Sequence, residues 1–190
     1  MTKVFIGGSR AVSRLNDLIR AQMDDLMRKG CMILIGDANG ADKAVQQHFA
    51  DCQYRNVTVF CMDRCRNNVG GWETRSITSE NRKYDFAYYA QKDLAMAREA
   101  HCGVMLWDGK SKGTLNNVLN LLHDCKKVLV YYAPFKAFHK LSNEDDFRVL
   151  ISQMDLQKFG REEDSTRENR MWTKRSQGEK RLPFPSSKAR

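Results

Sequence analysis

The stretch GVMLWDGKSKGTLNNV, residues 103–118, joins an apolar run to a helix-like pattern through a polar loop that contains glycine. Its central letters GKS resemble part of a P-loop, but that motif also requires a glycine five positions before its second glycine. Val104 occupies that position relative to Gly109, so the spacing excludes ATP hydrolysis of the Walker type. A loop between a strand and a helix still offers an anion free N–H groups and the positive end of a helix dipole. The stretch therefore predicts an anion site after a buried strand.

The bulk composition fits one globular domain with an extension. The chain has 190 residues, 42% of them hydrophobic, and no apolar run approaches the length needed to cross a bilayer. The first ten residues become polar too early for a signal peptide, and the six cysteines are scattered along the chain. We therefore expect a reduced, cytoplasmic protein with no membrane partner.

The net charge of +9 is concentrated toward the C-terminal end. Residues 158–190 hold ten basic and five acidic side chains, two of the three prolines and few aliphatic residues. This composition is typical of a solvated, flexible tail, which is the interpretation that we favour. With Trp172 and Phe184 among its basic groups, the segment is also compatible with an arm that binds nucleic acid or a partner. The sequence thus predicts a folded domain over 1–157 and a basic tail over 158–190.

Strand-like and helix-like patterns alternate over the first 132 residues. Five short apolar runs predict strands at 3–6, 32–35, 57–61, 104–107 and 128–132. Apolar residues at helical spacing predict helices between them and a last helix over 144–155, while 62–82 has no regular pattern. Alternating elements of this kind predict an α/β fold, in which helices cover both faces of a buried parallel sheet.

Three polar loops follow predicted strands instead of preceding them. They are GGSR at 7–10, GDANGAD at 36–42 and WDGKSKGT at 107–114, after the first, second and fourth strands. Ligands bind such sheets outside the carboxyl ends of the strands, where strand order reverses. If the first strand is central and the second and fourth lie beside it, the three loops converge on one cleft.

In this order and spacing, the loops resemble those of the SLOG superfamily of Rossmann-like nucleotide-binding proteins. That superfamily joins DNA processing protein A, the LOG-type phosphoribohydrolases and the small YspA-like proteins. Lys92, Asp93 and Met96, in the helix before the fourth strand, complete the motifs that carry the resemblance. The similarity is greatest to the YspA-like branch and covers residues 1–132. It implies a Rossmann-like sheet of about five strands in the order 3-2-1-4-5, a nucleotide-derived ligand and, by analogy, a homo-oligomer such as a dimer.

The resemblance and the residue types indicate the same ligand contacts. Small residues let the backbone approach a phosphate, and Arg10 offers phosphate a planar, permanently charged fork unless it pairs with a nearby acid. Asp37 and Asp42 can accept hydrogen bonds from ribose hydroxyls, although Asp42 can equally cap the following helix. The predicted contacts are Gly8, Ser9, Arg10, Gly36, Asp37, Gly40, Asp42, Asp108, Gly109, Ser111, Lys112, Gly113, Thr114 and Asn117.

Whether this cleft performs chemistry is a separate question. LOG-type enzymes have a catalytic glutamate where this chain has Asn117, and their glycine pair is replaced here by Lys110 and Ser111. An amide cannot act as a general base, so other carboxylates would have to serve. The substitute candidates are Asp108 and Glu80, because N-glycoside cleavage needs a carboxylate near the developing oxocarbenium ion. Asp108 can instead orient its loop, and we expect Asp93 to pair with Lys92 or a nearby arginine. The cysteines and histidines show no metal-ligand spacing, and we expect neither a metal nor a cofactor.

Three hypotheses about function follow from these observations. The first is a nucleotide-binding protein that senses or sequesters a nucleotide or nucleotide-derived signal, and Asn117 favours it over hydrolysis. The second is an N-glycosidase, either a phosphoribohydrolase or an enzyme similar to deoxyribosyltransferases. The third is a protein that binds single-stranded nucleic acid with the help of its basic tail.

Overall fold

The computed structural model describes residues 1–78 and 86–154 as one sheet flanked by helices. The strands are β1 (Lys3–Gly8), β2 (Met32–Gly36), β3 (Val57–Met62), β4 (Glu73–Ile77), β5 (Cys102–Trp107), β6 (Lys127–Tyr132) and β7 (Ala137–Leu141). The helices are α1 (Asp17–Arg28), α2 (Ala41–Asp51), α3 (Phe86–Glu99) and α4 (Lys112–His123), with a short 3-10 helix at Ala133–Phe135.

The seven strands are arranged in the order β4-β3-β2-β1-β5-β6-β7. All neighbouring pairs are parallel except β6 and β7, which are antiparallel. The five strands predicted from the sequence form the interior of this sheet in the predicted order, so the α/β class is confirmed. Because β1 lies between β2 and β5, the loops that follow these three strands meet at the carboxyl end of the sheet.

The sequence pattern does not predict the two edge strands. The strand β4 lies inside the stretch expected to be irregular, and its residues ETRSI are mostly exposed and polar. The strand β7 follows Pro134 and is only partly buried. Edge strands pair on one side only, and their exposed polar residues lack the apolar run that identifies a buried strand. The sheet therefore has seven strands where the sequence indicates about five.

Both faces of the sheet are covered by helices with buried apolar residues. On one face, Ile19 and Met23 of α1 and Phe49 of α2 join a core with Val4 and Ile6 of β1. Asn16 begins α1 by accepting the N–H of Ile19 at 3.0 Å, as an N-cap residue does. Full burial of one such apolar side chain contributes roughly 1.5–3 kcal/mol, so packing and not helix propensity holds these helices in place.

Gly8, the last residue of β1, lies where the strand has no room for a side chain. An added Cβ would be 2.6 Å from the carbonyl oxygen of Leu106 and 2.8 Å from the Cβ of Ala41. We therefore expect Gly8→Ala to lower the free energy of unfolding by about 1–3 kcal/mol, as overpacking usually does. Urea denaturation measures this loss. Gly7→Ala is the control, because its Cβ would meet no atom closer than 3.3 Å, and an equal loss in both variants would contradict the steric explanation.

The chain divides into two compact units, Met1–Phe147 and Arg148–Arg190. The described part of the second unit, residues 148–154, is helical. Several predictions lie outside the described residues: the boundary at 157/158, the basic tail over 158–190 and the candidate Glu80. All six cysteines are within the described residues, and none forms a disulfide. Within residues 1–78 and 86–154, every helix is too short or too polar to cross a membrane.

Candidate functional site

A cavity of about 710 Å³, lined in part by charged side chains, opens at the carboxyl ends of β1, β2 and β5. Its volume falls within the roughly 300–1,000 Å³ that is usual for small-molecule sites. Ten of the residues predicted as ligand contacts line it: Gly8, Ser9, Arg10, Gly36, Asp42, Asp108, Ser111, Gly113, Thr114 and Asn117. The structure therefore brings together the three loops that are far apart in the sequence.

Four predicted contacts do not line the cavity, and three of them have another structural role. Gly40 adopts φ 86°, and a Cβ there would overlap the backbone of Arg10, so this glycine lets two loops cross closely. Gly109 adopts φ 83°, which favours glycine, and a Cβ there would lie only 2.9 Å from the ring of Tyr132. Lys112 is exposed at the start of α4. The fourth is Asp37, which binds an arginine.

That arginine is Arg66, which the sequence does not single out. Its Nη2 and Nε donate to the two carboxylate oxygens of Asp37 at 2.7 and 3.0 Å, and its backbone N–H donates at 3.1 Å. Burial alone would raise the pKa of Asp37, but the hydrogen bonds and charge of Arg66 outweigh it, and the pKa lies below its ordinary value. The guanidinium carbon also lies 4.8 Å from the ring centre of Tyr89. Arg66 and Tyr89 together give the cavity a flat cationic and aromatic surface.

The first turn of α4 gives the cavity hydrogen-bond donors. The helix begins at Lys112, so Gly113 and Thr114, which the sequence placed in the polar loop over 107–114, lie inside its first turn. Ser111 is the N-cap, and its Oγ accepts the Thr114 N–H at 3.3 Å and the Thr114 hydroxyl at 3.0 Å. The N–H groups of Lys112 and Gly113 have no carbonyl partner within the helix. This end of α4 therefore suits an anion.

Asp108 fixes the loop that leads into α4. Its Oδ1 accepts the N–H groups of Lys110 at 3.0 Å and of Ser111 at 2.8 Å. Burial alone would raise the pKa of this carboxyl, but these two bonds and one from the Ser9 hydroxyl outweigh burial and hold the pKa below its ordinary value. Asp108 is therefore ionised at neutral pH, and it lines the cavity while ordering its loop.

Asp42, Lys92 and Asp93 form a buried charge cluster in the cavity. Lys92 is 4% exposed and Asp42 is 6% exposed. The Nζ of Lys92 donates to Asp93 Oδ1 at 2.8 Å, and the Nδ2 of Asn117 donates to Asp93 Oδ2 at 3.1 Å. Asn117, where LOG-type enzymes have a glutamate, thus holds a carboxylate in place. The structure forms the pairing of Asp93 with Lys92 that was expected from the sequence, whereas the bond from Asn117 to Asp93 was not predicted.

Within the buried charge cluster, Lys92 forms an ion pair with Asp93, and Asp42 interacts with the same ammonium charge without a direct hydrogen bond to it. Burial, opposed by the charge of Lys92, raises the pKa of Asp42 to about 6. Burial alone would lower the pKa of Lys92, but Asp93 and Asp42 outweigh burial and hold that pKa above its ordinary value. The cluster therefore carries net negative charge above pH 6. Asp42 accepts the N–H of Ala38 at 3.2 Å, and the N-cap of α2 is Gly40.

Three side chains of the types that bind metal ions lie together on α1 and at the end of α2. Atoms of Asp24, His48 and Cys52 lie within 4.8 Å of one another, which the sequence spacing does not reveal. Arg20 Nη1 is 3.3 Å from His48 Nδ1, and a guanidinium can only donate, so Nδ1 is the acceptor. The Nε2–H then donates to Asp24 at 2.7 Å. Both ring nitrogens are occupied, so the contacts describe a hydrogen-bonded His–Asp pair.

Comparison with known proteins identifies the fold. No family model matches the chain, and no curated protein matches it. Among solved structures, DNA processing protein A from Helicobacter pylori matches with a TM-score of 0.51 and 15% sequence identity. The chain shares the Rossmann-like fold of DNA processing protein A. The alignment covers 68% of this chain and 64% of that chain, less than two thirds of its length.

The match confirms the predicted resemblance at the level of a Rossmann-like fold, and membership in the SLOG superfamily stays a prediction. Assignment to the YspA-like branch stays a prediction. The structure of DNA processing protein A was described for its unique mode of single-stranded DNA binding. At 15% identity, the likeness to DNA processing protein A shows the fold of this chain but not its ligand. The ligand has to be inferred from the residues that line the cavity.

Proposed function

We propose that the protein binds a nucleotide or a nucleotide-derived signal in the cavity and acts by sensing or sequestering it. The observation that carries this proposal is the pairing of two kinds of groups in one cavity. The first turn of α4 and Arg10 suit a phosphate, while the buried charge cluster suits hydroxyl groups. A nucleotide has both an anionic group and a polyhydroxylated sugar.

Arg10 is the cation best placed to bind the phosphate. It is exposed, lines the cavity and forms no ion pair with any residue in 1–78 or 86–154. The sequence left open whether Arg10 pairs with a nearby acid, and within those ranges it does not. A guanidinium can bind two phosphate oxygens at once. Together with the N–H of Gly113, Arg10 gives the phosphate a cationic and a backbone contact.

The sugar and the base have separate partners in this proposal. Asp42 and Asp93 line the cavity, and their carboxylate oxygens can accept hydrogen bonds from ribose hydroxyls. The flat surface formed by Arg66 and Tyr89 suits stacking of a nucleobase. Small residues at Gly8 and Gly36 keep the backbone side of the cavity open.

Calorimetric titration with the four ribonucleoside 5′-monophosphates and the corresponding nucleosides tests this proposal. We expect at least one monophosphate to bind, and to bind at least tenfold more tightly than its nucleoside. Absence of binding with all four monophosphates, or equal affinity for nucleoside and monophosphate, would count against a nucleotide site anchored by its phosphate.

We also expect binding without turnover, since Asn117 stands where LOG-type enzymes have their glutamate and two of the carboxylates in the cavity are held by protein partners. Asp93 binds Lys92 and Asn117, and Asp108 accepts two backbone N–H groups. Nucleoside monophosphates incubated with the protein should therefore remain intact when analysed by chromatography. Release of free base that disappears in Asp108→Asn would favour the N-glycosidase alternative instead.

Single-stranded nucleic acid is the second candidate ligand, favoured by the fold shared with DNA processing protein A. Exposed Arg10 and Lys110 line the cavity, and the basic segment 158–190 adds further positive charge. Binding of this kind should weaken steeply with salt and should weaken again when residues 158–190 are removed. A gel shift that is unchanged by the truncation would exclude a contribution from the tail.

A further inference from the structure

A second cavity, of about 340 Å³, lies directly beside the first. Ala11 and Asp108 line both cavities, so the two share a boundary. The loop after β1 borders both of them: its residues 9–11 line the first cavity and its residues 11–14 line the second. One ligand can therefore extend along this loop from one cavity into the other.

Each cavity has exposed cations that form no ion pair with an acidic side chain of residues 1–78 or 86–154. Arg10 and Lys110 line the first cavity, and Arg14 and Lys136 line the second. All four are exposed, and across the described ranges 1–78 and 86–154 none of them forms an ion pair. Unpaired cations at two neighbouring cavities suit a ligand that carries two separate anionic groups.

Asp108 determines which part of such a ligand lies between the cavities. Its carboxylate would repel a phosphate placed directly against it, so the uncharged atoms that join two phosphates would lie beside it. The phosphates would then lie on either side, one near Arg10 and one near Arg14 or Lys136. Phosphate, sugar and phosphate succeed one another in this way along a nucleotide chain.

The second cavity also has neutral hydrogen-bonding groups. Tyr131 lines it, and its hydroxyl oxygen accepts the Nδ2 of Asn16 at 2.7 Å. This contact orients the phenol and leaves its O–H as a donor. The hydroxyl of Ser13 is a further donor at the exposed side of the cavity. A base or sugar has partners here besides the two cations.

We infer that the second cavity binds the second unit of a phosphodiester-linked dinucleotide whose first unit occupies the first cavity. This inference rests on the proposed function, because it places the first nucleotide where that proposal does. It goes further because it assigns ligand-binding roles to Arg14, Tyr131 and Lys136. It also predicts that the protein binds a dinucleotide more tightly than a mononucleotide.

The test compares the full chain with the double variant Arg14→Gln/Lys136→Asn. Asparagine suits position 136 because Lys136 has φ 50°, in the left-handed region that asparagine tolerates. Each protein is titrated with a pool of the four ribonucleoside 5′-monophosphates and with a pool of 5′-phosphorylated ribodinucleotides. We expect the unchanged protein to bind the dinucleotide pool at least tenfold more tightly. The double variant should bind both pools with the affinity that the unchanged protein has for mononucleotides.

The outcomes separate this inference from the proposed function. Equal affinity of the unchanged protein for both pools would overturn the inference and leave the nucleotide site intact, whereas no binding of either pool would overturn both. Arg28→Gln/Lys29→Gln removes two cations that pair with Asp25, away from both cavities, and should change neither affinity. If that control lost dinucleotide affinity to the same extent, the effect would be one of net charge and the second site would be refuted.

Discussion

Asp42→Asn is expected to raise the free energy of unfolding at pH 8 by about 3 kcal/mol, which is the linkage value for the pKa shift of Asp42. Burial raises that pKa from the ordinary 3.8 to about 6. An ionised Asp42 therefore destabilises the folded state at pH 8, and an asparagine has no charge to desolvate. The asparagine oxygen can still accept the N–H of Ala38. Lys92 retains Asp93 as its partner, so neutralising Asp42 leaves a balanced ion pair.

The dependence of this effect on pH has a definite sign. Because the pKa of Asp42 is higher in the folded chain, its protonation favours folding, and that contribution is lost as pH rises from 3.8 through about 6. The gain in Asp42→Asn should therefore shrink to under about 1 kcal/mol at pH 4, where Asp42 is neutral in the folded protein. Urea denaturation between pH 4 and pH 8 measures the difference.

Asp51→Asn is the matched control, since Asp51 is an exposed carboxylate on the same helix. It should leave the pH dependence of stability unchanged. A loss of stability in Asp42→Asn at pH 8 would show that Lys92 requires both carboxylates, in contradiction to the excess negative charge of the cluster. A carboxylate that lowers stability inside a cavity is typical of a group retained for binding.

Gly113→Asp is expected to weaken nucleotide binding at least 100-fold. The substitution places a carboxylate in the first turn of α4, in the wall of the cavity, where we propose that the phosphate binds. Two anions at one helix end repel each other, and the fixed one also takes up the N–H donors. An acidic residue in a first turn interacts favourably with the helix dipole, so the fold should be retained. Calorimetry measures the affinity, and urea denaturation checks the stability.

Gly30→Asp adds the same charge in the turn after α1. A Cβ at Gly30 meets no atom within 4 Å, and aspartate is among the residues that tolerate its φ of 62°. We expect this control to bind nucleotide normally. Normal binding by Gly113→Asp as well would place the phosphate away from α4.

The inner strands of the sheet were predictable from the sequence because a strand buried on both faces appears as a short, mostly apolar run. Every residue of β3 is buried, and such strands must be continuously apolar. The strand β4, at the edge, has four exposed residues out of five and carries no such signal. The order of the inner strands came from the family resemblance, since a run of apolar residues does not specify its neighbours.

The site was predictable where it depends on strand ends and not where it depends on side-chain partners. Ser9, Asp42 and Asp108 follow strands, and the rule for parallel sheets places them in one cleft. The pairing of Asp37 with Arg66 joins residues 29 positions apart, and Arg66 lies in the stretch 62–82 that has no regular pattern, so no periodicity indicates it. That pairing removes Asp37 from the cavity and places Arg66 there instead.

A crystal structure of the protein soaked with the nucleoside monophosphate that binds most tightly tests the central claim most directly. The phosphate should lie within hydrogen-bonding distance, about 2.7–3.2 Å, of the Gly113 N–H and the Arg10 guanidinium. Its ribose hydroxyls should contact Asp42 or Asp93. A nucleotide bound with its phosphate away from the first turn of α4, or bound outside the cavity altogether, would contradict the account.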